Sequence, residues 1–275
     1  MEFKKQHIVT AAYLKEWCDP RTPTGYTPYV WLVSKDGKSV DNKAPQNIFN
    51  AIDFYTVFDE YGNRNLKIEH YLHKIEDDFL VARKSIQAMH PITDKEFQSL
   101  VLFIASTYAR TELQKREQKE IWSELLNIYQ LTKIDHIMPD LYTKIQELQD
   151  QPILYHLYNF LKLTVPVLLE LNLTIMVVSG PVGFITSDNP VLWLDPSLWL
   201  NNQPVSFFGL ESQSLEIILP LSPNLLVKLT RNSPEQYMRV DSQPEIVDMI
   251  NRMIVIFSDE YVVMNHNKPN PYWFE

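Results

Sequence analysis

Apolar positions recur along this chain with two periods, and the change from one to the other divides it. Over residues 66–89 the period is that of an amphipathic helix. Ile68, Leu72, Ile75 and Phe79 fall within about 40° of one another when each residue advances about 100°. Thr93, Asp94, Lys95 and Glu96 have the spacing of a capping box and open a second helix running toward Arg110. Residues 113–131 and 139–149 keep the helical period. Residues 152–173 form the most apolar stretch, read as a buried core helix that kinks or restarts near Pro166. Shorter apolar runs read as strands. Val30–Ser34 is one, and the Asp36-Gly37 pair after it supplies positive φ for a hairpin turn. Residues 173–194 read as two strands about a Gly180-Pro181 turn, 215–222 and 225–230 as two more, 244–257 as a helix and 260–265 as a closing strand. The expectation is an α+β fold in a single domain over residues 1–275. Its mainly helical N-terminal two-thirds, about 1–172, would pack on a small, mostly antiparallel sheet from the C-terminal third, about 173–275.

Composition narrows the function classes. The 275 residues are 45% hydrophobic and 21% charged, as in an ordinary globular protein, with a net charge of −9. A broad basic face for coating nucleic acid does not fit that balance, although a local basic groove does. The single cysteine, Cys18, allows no disulfide within the chain and fits a reducing, cytoplasmic compartment. No basic stretch followed by an apolar run opens the sequence, so no secretory leader is expected. The apolar stretch 152–173 carries His156, Asn159, Lys162, Pro166 and Glu170, which argues against a membrane span. With only 6 glycines, no glycine-rich phosphate loop is present.

Candidate chemistry comes from polar residues in apolar company. On the helix over 66–89, Glu69 and Glu76 project inside the apolar arc, whereas His70, Lys74, Asp77, Asp78 and Lys84 lie outside it and read as a solvated face. Carboxylates in such an arc need partners. One reading is an ion-pair ladder of Glu69, Glu76 and Arg83 at the edge of the core. The other is a pair of carboxylates aimed into a cleft for acid–base or metal chemistry. Thr186, Ser187, Asp188 and Asn189 end an apolar strand before Pro190. That is turn chemistry with an Asx cap, or a strand-end site carrying Asp188. Arg110 closes an apolar helix face, as a helix C-cap or as a planar anchor for a carboxylate or phosphate. His7 stands behind Lys4 and Lys5 where an extended piece gives way to a helix. The aromatic C-terminal segment 270–275 either packs against a groove or docks a partner.

Several fragments, in this order, resemble one bacterial family. They are KQHIVTAAYLKEW at the start, PQNIFNAIDFYT, IEHYLHKIE, ART, ITSDNPV and LPLSPNLLV. The chain is similar in nearly its whole length to the domain of unknown function 4238 family. Thr10 and Glu112 stand where that family usually has prolines, which spares His7 and Arg110. The resemblance implies a cytoplasmic bacterial protein and brings no activity with it. Its recognisable positions include His7, Glu69, Glu76, Arg110 and Asp188, which raises the expectation that these five converge.

Together these readings predict a cleft between the helical and strand-containing parts. His7, Glu69, Glu76 and Asp188 would be catalytic and would ligate a divalent metal, Mg²⁺ or Mn²⁺ before Zn²⁺. Arg110, Lys5 and Asn189 would bind substrate. The expected activity is hydrolysis of a phosphodiester or nucleotide, with a nucleotide or nucleic acid as partner and a toxin or phage-defence role. Two alternatives stand beside it. In one, His7 and a glutamate work as a metal-free acid–base pair. In the other, the protein is a non-enzymatic regulatory or interaction module, with a protein partner and a structural buried network.

Overall fold

The computed structural model describes residues 5–58, 61–132, 139–180, 182–196, 209–232, 237–239 and 243–275. Strands are not confined to the last third, which corrects the expected division. Six of them lie in the first quarter: β1 Lys5–His7, β2 Val30–Ser34, β3 Val40–Lys43, β4 Asn50–Ile52, β5 Val57–Phe58 and β6 Arg64–Asn65. The run of helices begins after them, with α2 Lys67–Gln87, α3 Asp94–Ala109, α4 Glu112–Leu131, α5 Pro139–Asp150 and α6 Pro152–Leu168, the short α1 being Ala11–Leu14. The remaining strands are β7 Asn172–Val177, β8 Thr186–Ser187, β9 Leu192–Leu194, β10 Glu216–Ser222, β11 Leu225–Thr230, β12 Tyr237–Arg239 and β13 Tyr261–Met264, with α7 at Pro244–Phe257.

Two sheets result. One has the order β12-β7-β11-β10-β9 and is antiparallel except where β12 runs parallel to β7. The other has the order β3-β2-β13-β8, so the early hairpin joins the strand that nearly ends the chain. Side chains on successive strand residues face opposite ways. Ile175, Ile217, Leu219, Val227 and Leu229 thus enter a core shared with α2, α3 and α6. Met176, Ile218, Leu226, Leu192 and Leu194 enter a second core with Val33, Val262 and Met264 of the other sheet and Ile250 and Ile254 of α7. A sheet covered on both faces explains the near-continuous apolar runs of β10 and β11.

Local expectations fare well where the chemistry is local. The Thr93–Glu96 capping box is present, with both reciprocal bonds. Gly37 holds φ +71 in the β2–β3 hairpin. Residues 173–194 differ from expectation. β7 and β8 belong to different sheets, and the Gly180-Pro181 turn includes a residue outside those described. Pro166 lies inside α6, which runs on to Leu168 without a restart. Trp273 of the C-terminal segment is buried, and its Nε1 donates to Asp248 at 2.7 Å. Among the described residues no helix is long and apolar enough to cross a membrane.

Candidate functional site

β1 is short, and its alternation decides what it offers. Gln6 is buried, Lys5 is exposed and His7 lies between. The strand pairs with β4, placing His7 opposite Asn50. β4 is held between two non-glycine residues in the left-handed region, Phe49 with φ 51 and Asp53 with φ 54. Such backbone is disfavoured and persists only where its surroundings fix it. Two contacts do so here: the Phe49 carbonyl accepts from the Ile8 N–H at 2.8 Å, and Asp53 is ion-paired to Arg64.

Gln6 ties the neighbouring segments together. Its Oε1 accepts from the Tyr55 N–H at 2.9 Å, and its Nε2 donates to Thr56 Oγ1 at 2.8 Å and to Glu69 Oε2 at 3.3 Å. Glu69 lies in the first turn of α2 and Glu76 two turns later on the same side, both half-buried. The Tyr55 hydroxyl donates to the His7 carbonyl at 2.9 Å. Burial pushes that phenol up to about 12, with the charges of Glu76 and Glu69 adding and Arg110 opposing, so it stays a donor.

The result is a cavity of about 320 Å³ lined by Lys5, His7, Tyr55, Glu69, His70, His73 and Glu76, among others. Three of the four expected catalytic residues meet here, together with Lys5. Nε2 of His7 is buried with no hydrogen-bond partner. Behind the wall, Arg110 is 1% exposed and its Nη2 donates to Glu76 Oε1 at 2.7 Å. The proposed ladder through Arg83 does not form, because Arg83 pairs instead with Glu16 at 3.2 Å and donates to the Ala12 carbonyl. Arg110 is therefore the counter-ion of Glu76 and is not displayed to the cavity as a substrate-binding residue.

Asp188 lies elsewhere. Its Oδ1 accepts from the Asp259 N–H at 2.8 Å, and its Oδ2 accepts from the Glu260 N–H at 2.7 Å and the Tyr261 N–H at 2.8 Å. It closes the turn leading into β13 and lines a different cleft, of about 420 Å³, with Glu112, Arg116 and Asp259. Burial raises its pKa while the three N–H groups oppose the rise. Asn189 lines a third cavity and donates from Nδ2 to the Phe257 carbonyl at 2.9 Å. Among the described residues no three His, Cys, Asp or Glu side chains are grouped to hold a metal ion. The four-ligand centre expected from His7, Glu69, Glu76 and Asp188 is thus not assembled. One carboxylate is spent on a guanidinium and another on backbone amides.

Gln6, Tyr55 and His73 line or brace the cavity without having been candidates from the sequence, and His70, read there as part of a solvated face, is exposed at the cavity's edge. The signal for Gln6 was available, since strand alternation turns it away from Lys5 and His7. So was that for His73, which lies four residues after Glu69 and three before Glu76, on the same helical side. His73 Nδ1 approaches Glu76 Oε2 to 4.0 Å. Tyr55 offered none, because its approach depends on the β1–β4 pairing.

Comparison with known proteins adds a family. Over residues 5–268 the chain matches the family described as Protein of unknown function (DUF4238), and it belongs to that family. No curated protein and no solved structure matched it.

Proposed function

We propose that the cavity between β1 and α2 is an acid–base site that hydrolyses a phosphodiester or nucleotide. The observation that carries this reading is an imidazole, His7, with a buried unpartnered Nε2, lining one cavity with Glu69, Glu76 and Lys5. In this scheme His7 takes a proton from the attacking water as its oxygen bonds to phosphorus, and the bond from phosphorus to the leaving oxygen breaks. The imidazolium returns the proton to that oxygen, and Glu69, held by Gln6, orients the imidazole and steadies its positive charge. The Lys5 ammonium draws the phosphate into the cavity mouth. The ion pair with Arg110 holds Glu76 and shapes the wall. A divalent ion arriving with the phosphate would meet Glu69 and His7 there. An enzyme of this kind that degrades cellular nucleotides or nucleic acid would act as a toxin or phage-defence effector.

The test is cleavage of a panel of nucleotides, single-stranded RNA and single-stranded DNA, in EDTA and then with Mg²⁺ or Mn²⁺. We expect at least one substrate to be cleaved by the wild type. Folded His7→Ala should lose about 10²-fold or more, the usual worth of a positioned general base. Undiminished cleavage by a folded His7→Ala protein, or no cleavage of any substrate under any condition, overturns the proposal.

A second reading has the buried Arg110 in its favour: the network would be structural and the protein a regulatory or interaction module. In that case His7→Ala would destabilise the fold and no substrate would be turned over.

A further inference from the structure

The third cavity, of about 440 Å³, lies against α4 and does not involve the β1–α2 site. Its floor is aromatic. Tyr108 of α3, Phe160 of α6 and Trp193 of β9 contact one another with centroids 5.1 to 5.7 Å apart. Tyr108 and Phe160 are only partly buried, so ring surface is left to the cavity. The facing wall is acidic: Glu117, Glu120 and Glu124 all line it from one side of α4.

The Gln114 amide donates to Glu117 at 2.8 Å, and the Arg116 guanidinium acts on Glu117 and Glu120 only through space. None of the three makes a direct ion pair with a described cation, and two basic side chains of the same helix are engaged elsewhere. Arg116 pairs with Asp259 at 2.6 Å, and the Lys115 ammonium sits 4.3 Å from the Phe54 ring centroid. A second, independent feature marks the same cavity. Asn189, one of its lining residues, is only 6% exposed, and its Oδ1 has no hydrogen-bond partner. An unanswered buried acceptor is costly, and a ligand donor would relieve it.

We infer that this cavity binds a linear aliphatic polyamine, with ammonium groups on the carboxylates of Glu117, Glu120 and Glu124 and methylenes over the faces of Tyr108, Phe160 and Trp193. Aromatic faces attract cations, and carboxylates set their spacing. The helical rise of about 1.5 Å per residue separates the three glutamates by roughly 4.5 and 6 Å along the axis. That stagger is of the order of the distance between amines joined by three or four methylenes. Ammonium groups also supply the donor that Asn189 Oδ1 lacks. The proposal is independent of the hydrolase reading.

Titration of the full chain with spermidine, by calorimetry and by tryptophan fluorescence, tests it. Binding should be saturable and should quench or shift the tryptophan emission. Glu120→Gln/Glu124→Gln removes two exposed, unpaired charges and should leave the melting temperature in place while weakening spermidine roughly tenfold or more. Trp193→Phe should weaken it less and abolish any emission change due to that ring. The inference is overturned if the double variant binds spermidine like the wild type. It is also overturned if choline, with one charge, binds as tightly, or if Mg²⁺ at matched ionic strength displaces spermidine completely.

Discussion

In the β1–α2 cavity the carboxylate of Glu76 meets a guanidinium that is itself 1% exposed, whereas at the turn before β13 the carboxylate of Asp188 meets three backbone N–H groups. Both are half-buried, and both looked alike in the sequence, as acids in apolar company. The difference lies in what depends on each. Arg110 cannot lose its proton, so without Glu76 a full charge would be stranded in the core. Without Asp188, three dipoles would lose an acceptor at a turn where water can reach some of them. A half-buried carboxylate is thus spent according to its neighbour's need, and Glu69, His7 and Lys5 are the other charged or titratable groups that the proposed chemistry draws on.

The largest expected effect follows from that asymmetry. Glu76→Gln should cost about 3–5 kcal/mol by urea denaturation, the usual result of breaking one side of a buried pair. The double variant Glu76→Leu/Arg110→Met, which removes both charges, should recover much of the loss. A single-variant cost below about 1 kcal/mol would mean that water reaches the guanidinium, and the contrast with Asp188 would collapse.

A second contrast sets His7 against His156, each with a buried, unpartnered Nε2. His7 sits in a polar cavity. His156 sits on α6 against the Phe160 ring, centroid to centroid 5.3 Å, and burial pushes it down to about 4 from an ordinary 6.5. The unfolded chain then binds a proton below about 6.5 that the folded chain refuses until about 4. Stability should therefore be full above 6.5 and fall as the pH drops through that window, by at most about 3 kcal/mol. His156→Phe should flatten that part of the stability profile. An unchanged profile would place the titration elsewhere.

Asp188→Ala should come third, at about 2 kcal/mol, since three N–H groups lose an acceptor while the site retains access to solvent. Cleavage of any phosphodiester substrate should be unaffected once folding is secured. A loss of turnover with no loss of stability would return Asp188 to the chemistry and unite the two clefts.

What the sequence could show follows the range of the interactions. The Thr93 capping box, the Asp36-Gly37 hairpin and the helical arc of Ile68, Leu72, Ile75 and Phe79 are set by residues a few positions apart, and each is found. The extended piece at His7 is found as β1 leading into α1, but β4, β5 and β6 were missed because they are two or three residues long, too short for a period to emerge. At the site, the half-burial of Glu69 and Glu76 was legible from the helical projection. Their partners were not, because Gln6 lies 63 positions from Glu69 and Arg110 lies 34 from Glu76. Burial is written in the local pattern, but the identity of the group that satisfies a buried charge is written in the tertiary fold.

The smallest expected change in stability is also the sharpest test of that division, because it compares two glutamates on one helix. Glu69 and Glu76 share a residue type, a side of α2 and half-burial, and they differ in their partners. Glu76 answers the charge of Arg110, while Glu69 accepts a neutral bond from the Gln6 amide at 3.3 Å. A glutamine at position 69 can still accept that bond through its carbonyl oxygen. Glu69→Gln should therefore cost under about 1 kcal/mol, against several for Glu76→Gln. If the cavity is the proposed acid–base site, the same substitution should remove most of the phosphodiester cleavage, since an amide can neither take up a proton nor hold a positive charge in place. Measured together, a stable but inactive Glu69→Gln and an unstable Glu76→Gln would separate the group that acts from the group that holds the wall. If both variants are equally unstable, Glu69 is also a structural carboxylate, and His7 loses the partner on which the proposed chemistry depends.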